Sequence, residues 1–323
     1  MLLLIPHLFP SARLLDAAAQ DLRLPGLETL LARGARQTCN TDGVEASLCQ
    51  VLGIARQQDW PLAPITLQAD GGTAGTDYWL RTDPVHFRVM RDRIVLADSH
   101  ALDLAQEEAD ALAASIQAHF GATFSPRPLQ PQRWYLRLPE PPQLATTPLP
   151  CAAGCDIDPL LPRGDDASRF RTLLNELQML LHDHPVNQAR EARGELPVNS
   201  LWLWGGGALP EVCPSGLQIA TDNPNAQALA RFAGARWVPP PARFDQDCPD
   251  VAVLETLVAP GQVGDAFGWR EGVREVENHL QGLLQSGLSF TLADPTKGVA
   301  YAWRSQNRYK FWRRRISLKD ALR

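Results

Sequence analysis

The sequence predicts an α/β protein with a mixed central sheet flanked by helices, and three observations predict it. Short apolar runs at 2–5, 217–221 and 251–257 read as buried strands, because a strand enclosed on both faces has no polar alternation. Amphipathic segments at 170–181 and 269–284 carry apolar residues every three to four positions, as on one face of a helix. The chain of 323 residues, with 45% hydrophobic residues and a net charge of -5, is long and apolar enough to bury a large core.

The opening strand meets Pro6 and His7 too soon for a secretory leader, and no later apolar run is long enough to cross a membrane, so a cytoplasmic location is expected. Ser11 offers an N-cap to a short helix through Ala19, and Pro25 opens a second helix that stops at Gly34. His7 and Ser11 stand just past a strand, where open α/β sheets place ligand groups, although turn and capping roles account for both. Residues 46–52 read as a helix, 59–67 as proline-broken chain and 71–76 as a loop. The stretch 80–88 follows as a turn that gathers Arg81, Asp83, His86 and Arg88. Guanidinium groups make charge-assisted bonds to a compact anion; the competing reading is an ion-paired structural loop.

A strand at 93–98 leads to a helix at 104–120, capped by Asp103 with Gln106 completing the box, and with Glu107, Glu108 and Asp110 favouring its positive end. A strand at 134–138 runs into a proline-rich connection, so 121–165 reads as an irregular insertion within a single 1–323 domain. The helix at 170–181 closes on two histidines, His182 and His184. The strand 200–204 then releases into Gly205, Gly206 and Gly207, whose backbone either cradles an anion or lets the chain leave the sheet close against another segment. This run has neither the Lys-Ser/Thr end of a phosphate loop nor the spacing of a dinucleotide loop. The strand-then-helix order returns at 217–232, where Asn223 caps a helix opened by Pro224. A hairpin at 289–292 and 299–303 precedes a basic tail at 304–323. The six cysteines form no Cys-x-x-Cys pair and read as reduced thiols. The acidic balance argues against a nucleic-acid surface everywhere except that tail, where Tyr309 and Trp312 lie among Arg304, Arg308, Lys310, Arg313, Arg314 and Arg315.

The segment Asn199-Ser200-Leu201-Trp202-Leu203-Trp204-Gly205 resembles the Asn-x-x-x-Leu-Trp/Arg-Gly segment of bacterial and archaeal cofactor-independent phosphoglycerate mutases, within the alkaline phosphatase superfamily. Across most of its length, including Asp77-Tyr78-Trp79-Leu80-Arg81, Asp83-Pro84-Val85-His86 and 177–207, the chain resembles a proteobacterial phosphoglycerate-mutase-like group, the RpfE-type regulatory proteins. The resemblance implies an alkaline-phosphatase or phosphomutase-like fold, two divalent cations and a Ser or Thr that takes the phosphoryl group.

That chemistry needs carboxylates and imidazoles to hold the metals. Ile5-Pro6-His7 stands where the resemblance implies an Asp-Gly motif, Asp222-Asn223 where it implies Asp-His, and Pro260 to Asp265 where it implies an Asp-rich loop with a histidine. The reading is therefore a catalytically degenerate phosphoglycerate-mutase-like protein, a pseudoenzyme with no cofactor and no metal. It binds a small phosphorylated or other anionic metabolite, or acts as a regulatory protein through a protein partner. Arg81, Asp83, His86, Arg88, Asn199 and the backbone of Gly205, Gly206 and Gly207 are its candidate contacts. The alternative is a phosphomutase or phosphatase using Mn or Mg in an atypical site drawn from His7, Asp42, Asp222 and Asp265. A third reading is a purely interacting protein that docks through its proline-rich surface and basic tail.

Overall fold

The computed structural model describes residues 1–18, 21–97, 102–244 and 248–321; Ala19 and Asp98, expected at the ends of a helix and a strand, lie outside the described residues. Met1–Leu52 carries β1 (Leu2–Leu4), α1 (Ala12–Ala18), α2 (Pro25–Arg33), β2 (Ala35–Thr38) and α3 (Gly43–Val51). Gly53–Val212 carries α4 (Leu62–Ala69), β3 (Tyr78–Val89), β4 (Ile94–Ala97), α5 (Gln106–Phe120), β5 (Arg127–Gln130), β6 (Arg133–Leu138), α6 (Leu149–Ala152), α7 (Ala167–His182), α8 (Pro185–Ala192) and β7 (Ser200–Gly207). Cys213–Arg323 carries β8 (Gln218–Ala220), α9 (Pro224–Phe232), β9 (Arg236–Val238), β10 (Val251–Val253), α10 (Val258–Val263), α11 (Ala266–Ser286), β11 (Phe290–Asp294), β12 (Val299–Trp303) and α12 (Leu318–Ala321). The first and third stretches form one compact unit and Gly53–Val212 forms another. The inserted segment is thus far longer than 121–165. Prolines mark irregular connections but not where a second core begins, and 121–165 contributes β5 and β6 to the inserted unit's own sheet.

The first unit has the mixed sheet that the sequence predicts, in the order β2-β12-β11-β1-β10-β8-β9. The strands from β11 to β9 run parallel, and β12 runs antiparallel to both of its neighbours. The leucine run of β1 suits its place, since Leu3 pairs with Ala252 on one side and Leu292 on the other. Trp269, Val273, Val276, Leu280 and Leu283 of α11 repeat at steps of four and three, and all are fully buried in a core shared with α1 and α2. Each such side chain contributes about 1.5–3 kcal/mol by leaving water. The same helix supplies Glu277, whose carboxylate accepts from the N–H groups of Gly26 at 2.6 Å and Leu27 at 3.0 Å, in the first turn of α2. Helix α2 has no side-chain cap of its own, so a carboxylate from another helix satisfies its orphan donors.

The inserted unit is built on β3, a strand of twelve residues where the sequence predicts a turn. The order is β4-β3-β6-β5, with β7 antiparallel along the other edge of β3. Pro84 is tolerated because on that side β6 pairs only with Tyr78–Arg81 and β4 only with His86–Val89, leaving a gap where no N–H is required. Side chains alternate between two cores: Tyr78 and Leu80 face one with Leu136, Ile116 and Leu177, and Trp79 faces another with Tyr135 and Leu67. Asp103 does not cap α5, which begins later; it holds φ at +42°, and Glu108 accepts from the N–H of Ala105.

Candidate functional site

The eight predicted contact residues fall in the inserted unit, and the geometry separates them into three groups. Arg81 and Asp83 are two apart on β3, which places them on one face, and that face points inward: they are 2% and 0% exposed. The guanidinium donates to the Asp83 carboxylate through Nε at 3.0 Å and Nη2 at 2.8 Å, and through Nη1 to Thr66 at 3.3 Å. Its central carbon lies over the rings of Tyr135 and Trp204, 5.3 Å and 5.0 Å from their centroids. Asp83 also accepts from the Trp134 backbone N–H at 3.1 Å and from Trp204 Nε1 at 2.7 Å. Burial pushes the Asp83 carboxyl up; four donors on two oxygens favour its ionised form, and this direct pairing is the stronger argument. The expectation that the pair lines an open cleft is therefore corrected, because both groups are interior and already bonded.

His86 and Asn199 fasten the start of β7 to β3. The Asn199 side chain acts as an extra rung of the ladder, its Oδ1 accepting from Phe87 N–H at 2.7 Å and its Nδ2 donating to Phe87 C=O at 2.9 Å. His86 Nδ1 donates to the Pro197 carbonyl at 2.9 Å, and burial pushes its imidazole pKa down. Arg88 is exposed beyond them. Removing the amide should leave both Phe87 groups without this partner, so Asn199→Ala is expected to destabilise the protein by about 1–2 kcal/mol in urea unfolding.

Gly205, Gly206 and Gly207 lie at the other end of that ladder, roughly 20 Å away at about 3.3 Å per residue. They continue β7 rather than leave it. The register shifts between Trp79 and Arg81, and Gly205 takes φ +67°, the left-handed conformation of a bulge. A Cβ at Gly206 would stand 2.4 Å from the Tyr78 hydroxyl, and one at Gly207 2.6 Å from Pro61 Cβ. The Gly206 N–H donates to Asp59, which also accepts from Thr146. An internal carboxylate thus occupies the place expected for an anion, and close packing accounts for the glycines.

The first unit gathers polar groups at the carboxyl ends of its parallel strands, where open α/β sheets place ligands. After β1, His7 holds φ at +61°, donates its N–H to Thr296 Oγ1 at 3.2 Å and accepts from Trp269 Nε1 at 2.9 Å through its carbonyl. Burial pushes its imidazole down against the pull of Asp294, so it is largely neutral at pH 7. At the end of β11, buried Asp294 accepts from Phe9 N–H and from both the N–H and hydroxyl of Thr296. Lys297 follows, and with Phe9, Pro10, Leu15, Asp16 and Lys319 it lines a cavity of about 480 Å³. Lys319 is paired with Asp16 at 2.6 Å, whereas the Lys297 ammonium has no hydrogen bond or ion pair among the described residues.

Further along the same edge, Glu255 follows β10 and Asp222 and Asn223 follow β8. Asn223 donates to Glu255 at 2.7 Å, and Asn225 donates to Glu45 at 3.0 Å. The Glu255 carboxyl is pushed up to about 7 by loss of solvent first and then by the charges of Glu45 and Asp222, against the Asn223 hydrogen bond. A carboxyl held above its usual value near 4.5 keeps its proton longer when folded, so it favours the folded state at low pH and this contribution is lost as pH rises to about 7. The residue as a whole is exposed, and solvent screening keeps the effect small. Glu255→Gln should therefore flatten the fall in unfolding midpoint between pH 5 and pH 7.5, a comparison that urea titrations make directly.

The residues of the proposed metal alternative do not form one donor set. Asp265 caps α11 by accepting from Phe267 N–H at 3.0 Å, His7 packs against Gly261, and Asp42 sits at the start of α3. Among the described residues no group of three or more His, Cys, Asp or Glu is arranged to hold a metal ion, so a two-metal centre does not fit them. Lys297, Thr296, Glu45 and Glu255 escaped the sequence reading. The strand-end rule, applied to 290–294 and 251–253, is the signal that could have found three of them; nothing local marks Glu45.

No protein-family model matches the sequence. A short stretch is similar to curated relatives: 42% identity over 52 residues, 16% of this chain and 13% of the relative, with a probable 2,3-bisphosphoglycerate-independent phosphoglycerate mutase of Geobacter sulfurreducens. Another match reaches 42% over 65 residues, 20% of this chain and 16% of the relative, with the 2,3-bisphosphoglycerate-independent phosphoglycerate mutase of Methanosarcina mazei. The matches span less than a fifth of the length of these relatives. A cofactor-independent phosphoglycerate mutase from Thermoplasma acidophilum superposes over 99% of this chain and 94% of its own, with a TM-score of 0.45 and 18% identity. The chain thus has local sequence similarity to cofactor-independent phosphoglycerate mutases and a mixed α/β architecture of its own.

Proposed function

We propose that this is a phosphoglycerate-mutase-like protein that binds a small anionic metabolite, of the phosphorylated class, without two-metal phosphoryl transfer. The supporting observation is the Lys297 ammonium, which stands at the carboxyl end of β11 in the 480 Å³ cavity with no counter-charge bonded to it among the described residues. The site differs from the one centred on Arg81, whose charge is balanced inside the protein. Local similarity to phosphoglycerate mutases supports the phosphorylated class of ligand.

The test is calorimetric titration with 3-phosphoglycerate and with inorganic phosphate. Binding that weakens about tenfold or more in Lys297→Ala and persists in Arg88→Ala is the expected result. Loss of binding in Arg88→Ala with no change in Lys297→Ala would return the site to the inserted unit.

A second reading, acid–base or metal-assisted phosphate-ester chemistry, draws on Glu255, because a carboxyl near 7 is suited to proton transfer. Turnover of 3-phosphoglycerate or a phosphate ester in the presence of Mn or Mg, abolished in Glu255→Gln, would favour that enzyme.

A further inference from the structure

The segment 304–316 is separate from that cavity and has a different chemistry. Eight basic residues and one acidic residue give 304–323 a formal charge of +7, which leaves -12 on the other residues of a chain whose total is -5. Within it Phe311, Trp312 and Ile316 are 78%, 67% and 39% exposed. Large apolar side chains ordinarily fold back onto a core when the chain is free to let them. Here the residues beside them are tied down, mostly through their side chains. Asn307 Nδ2 donates to the Arg33 carbonyl at 2.9 Å, Lys310 Nζ to the same carbonyl at 3.5 Å and Arg313 Nη1 to the Ala32 carbonyl at 3.4 Å. Arg33 answers by donating to the Arg308 carbonyl at 3.3 Å. These are the last carbonyls of α2, where a helix favours cations, so the segment is docked on α2 with its aromatic pair held outward.

We propose that this segment is a docking surface for a bilayer containing anionic phospholipid. Tryptophan and phenylalanine partition into the headgroup boundary, and each nearby Lys or Arg strengthens attachment to an anionic leaflet by roughly fivefold. The negative charge of the remaining chain is repelled by such a surface, which orients the protein with 304–316 foremost. Ring geometry favours lipid over single-stranded nucleic acid. Base stacking needs open ring faces, yet the Arg308 guanidinium covers Tyr309 at 4.7 Å, and Phe311 and Trp312 stand perpendicular, at 79° and 5.5 Å between centroids. Ile316 has no face to stack, but it adds to an inserted apolar wedge.

Flotation of the full chain with vesicles of phosphatidylcholine alone, or with about 30 per cent phosphatidylglycerol, tests the proposal. The expected result is binding to the anionic vesicles only, weakened by salt, with a blue shift of tryptophan emission. Phe311→Ser/Trp312→Ser should weaken binding at least tenfold and abolish the shift, and Arg314→Gln/Arg315→Gln should weaken it to a similar degree. These four side chains are exposed, and far-ultraviolet circular dichroism checks that each variant is folded. Equal flotation with both vesicle types, or no flotation, overturns the proposal. So does attachment indifferent to the aromatic pair, which would be diffuse charge attraction. Binding of an oligothymidylate that requires Phe311 and Trp312, without vesicle binding, would assign the surface to nucleic acid instead.

Discussion

Asp83→Ala is expected to destabilise the inserted unit by about 3–5 kcal/mol, because it leaves the Arg81 guanidinium in the interior without its carboxylate. The same change removes the acceptor of Trp134 N–H and of Trp204 Nε1, both buried. A double replacement, Arg81→Met with Asp83→Leu, removes more hydrogen bonds but no longer buries a guanidinium that has lost its ion-pair carboxylate. It should unfold at a higher urea concentration than Asp83→Ala alone. Amide exchange in β3 and β7 localises the effect, since both strands contribute to the network. A loss below about 1 kcal/mol in Asp83→Ala, or a double variant weaker than the single one, would mean that solvent reaches the guanidinium.

The second large effect concerns Glu277. Its carboxylate receives two N–H groups from the first turn of α2 and also accepts from Gln281 at 2.7 Å, while the residue is 6% exposed. Glu277→Leu should cost about 2–4 kcal/mol, the combined loss of charge-assisted bonds and the stranding of two buried donors. Glu277→Gln keeps an acceptor of the same reach and should recover more than half of that. Gly26 belongs to the same arrangement: a Cβ there would stand 2.9 Å from Glu277 Oε1, so Gly26→Ala should be destabilising although its helix propensity is better. Thermal unfolding of the three variants orders them.

Much of the fold was legible because local pattern and burial agree. The apolar runs at 2–5 and 251–257 became β1 and β10, neighbours in a sheet, and the stripe on 170–181 became the buried face of α7. The strand 200–204 was also readable, but its continuation through three glycines was not: glycine signals freedom, and only the bulge opposite Trp79 and Arg81 uses that freedom inside a ladder. The stretch 80–88 conceals its strand for a related reason. Arg81, Asp83 and His86 interrupt the apolar alternation by which an interior strand is recognised, and Pro84 adds a turn signal.

The candidate site was the least legible part. Its predicted members share a strand pair, yet Arg81 and Asp83 neutralise each other, Asn199 serves the ladder, and the glycine N–H belongs to Asp59. The groups that do meet at the carboxyl edge of the first unit, His7, Thr296 and Lys297, come from opposite ends of the chain. By itself the sequence determined the α/β class, the leading strands and helices, the acidic body and the basic segment at 304–323, because composition and local periodicity carry that information. Tertiary structure decided where the charges went. A charged side chain is buried or exposed according to partners distant in sequence, and no local pattern records whether those partners will be there.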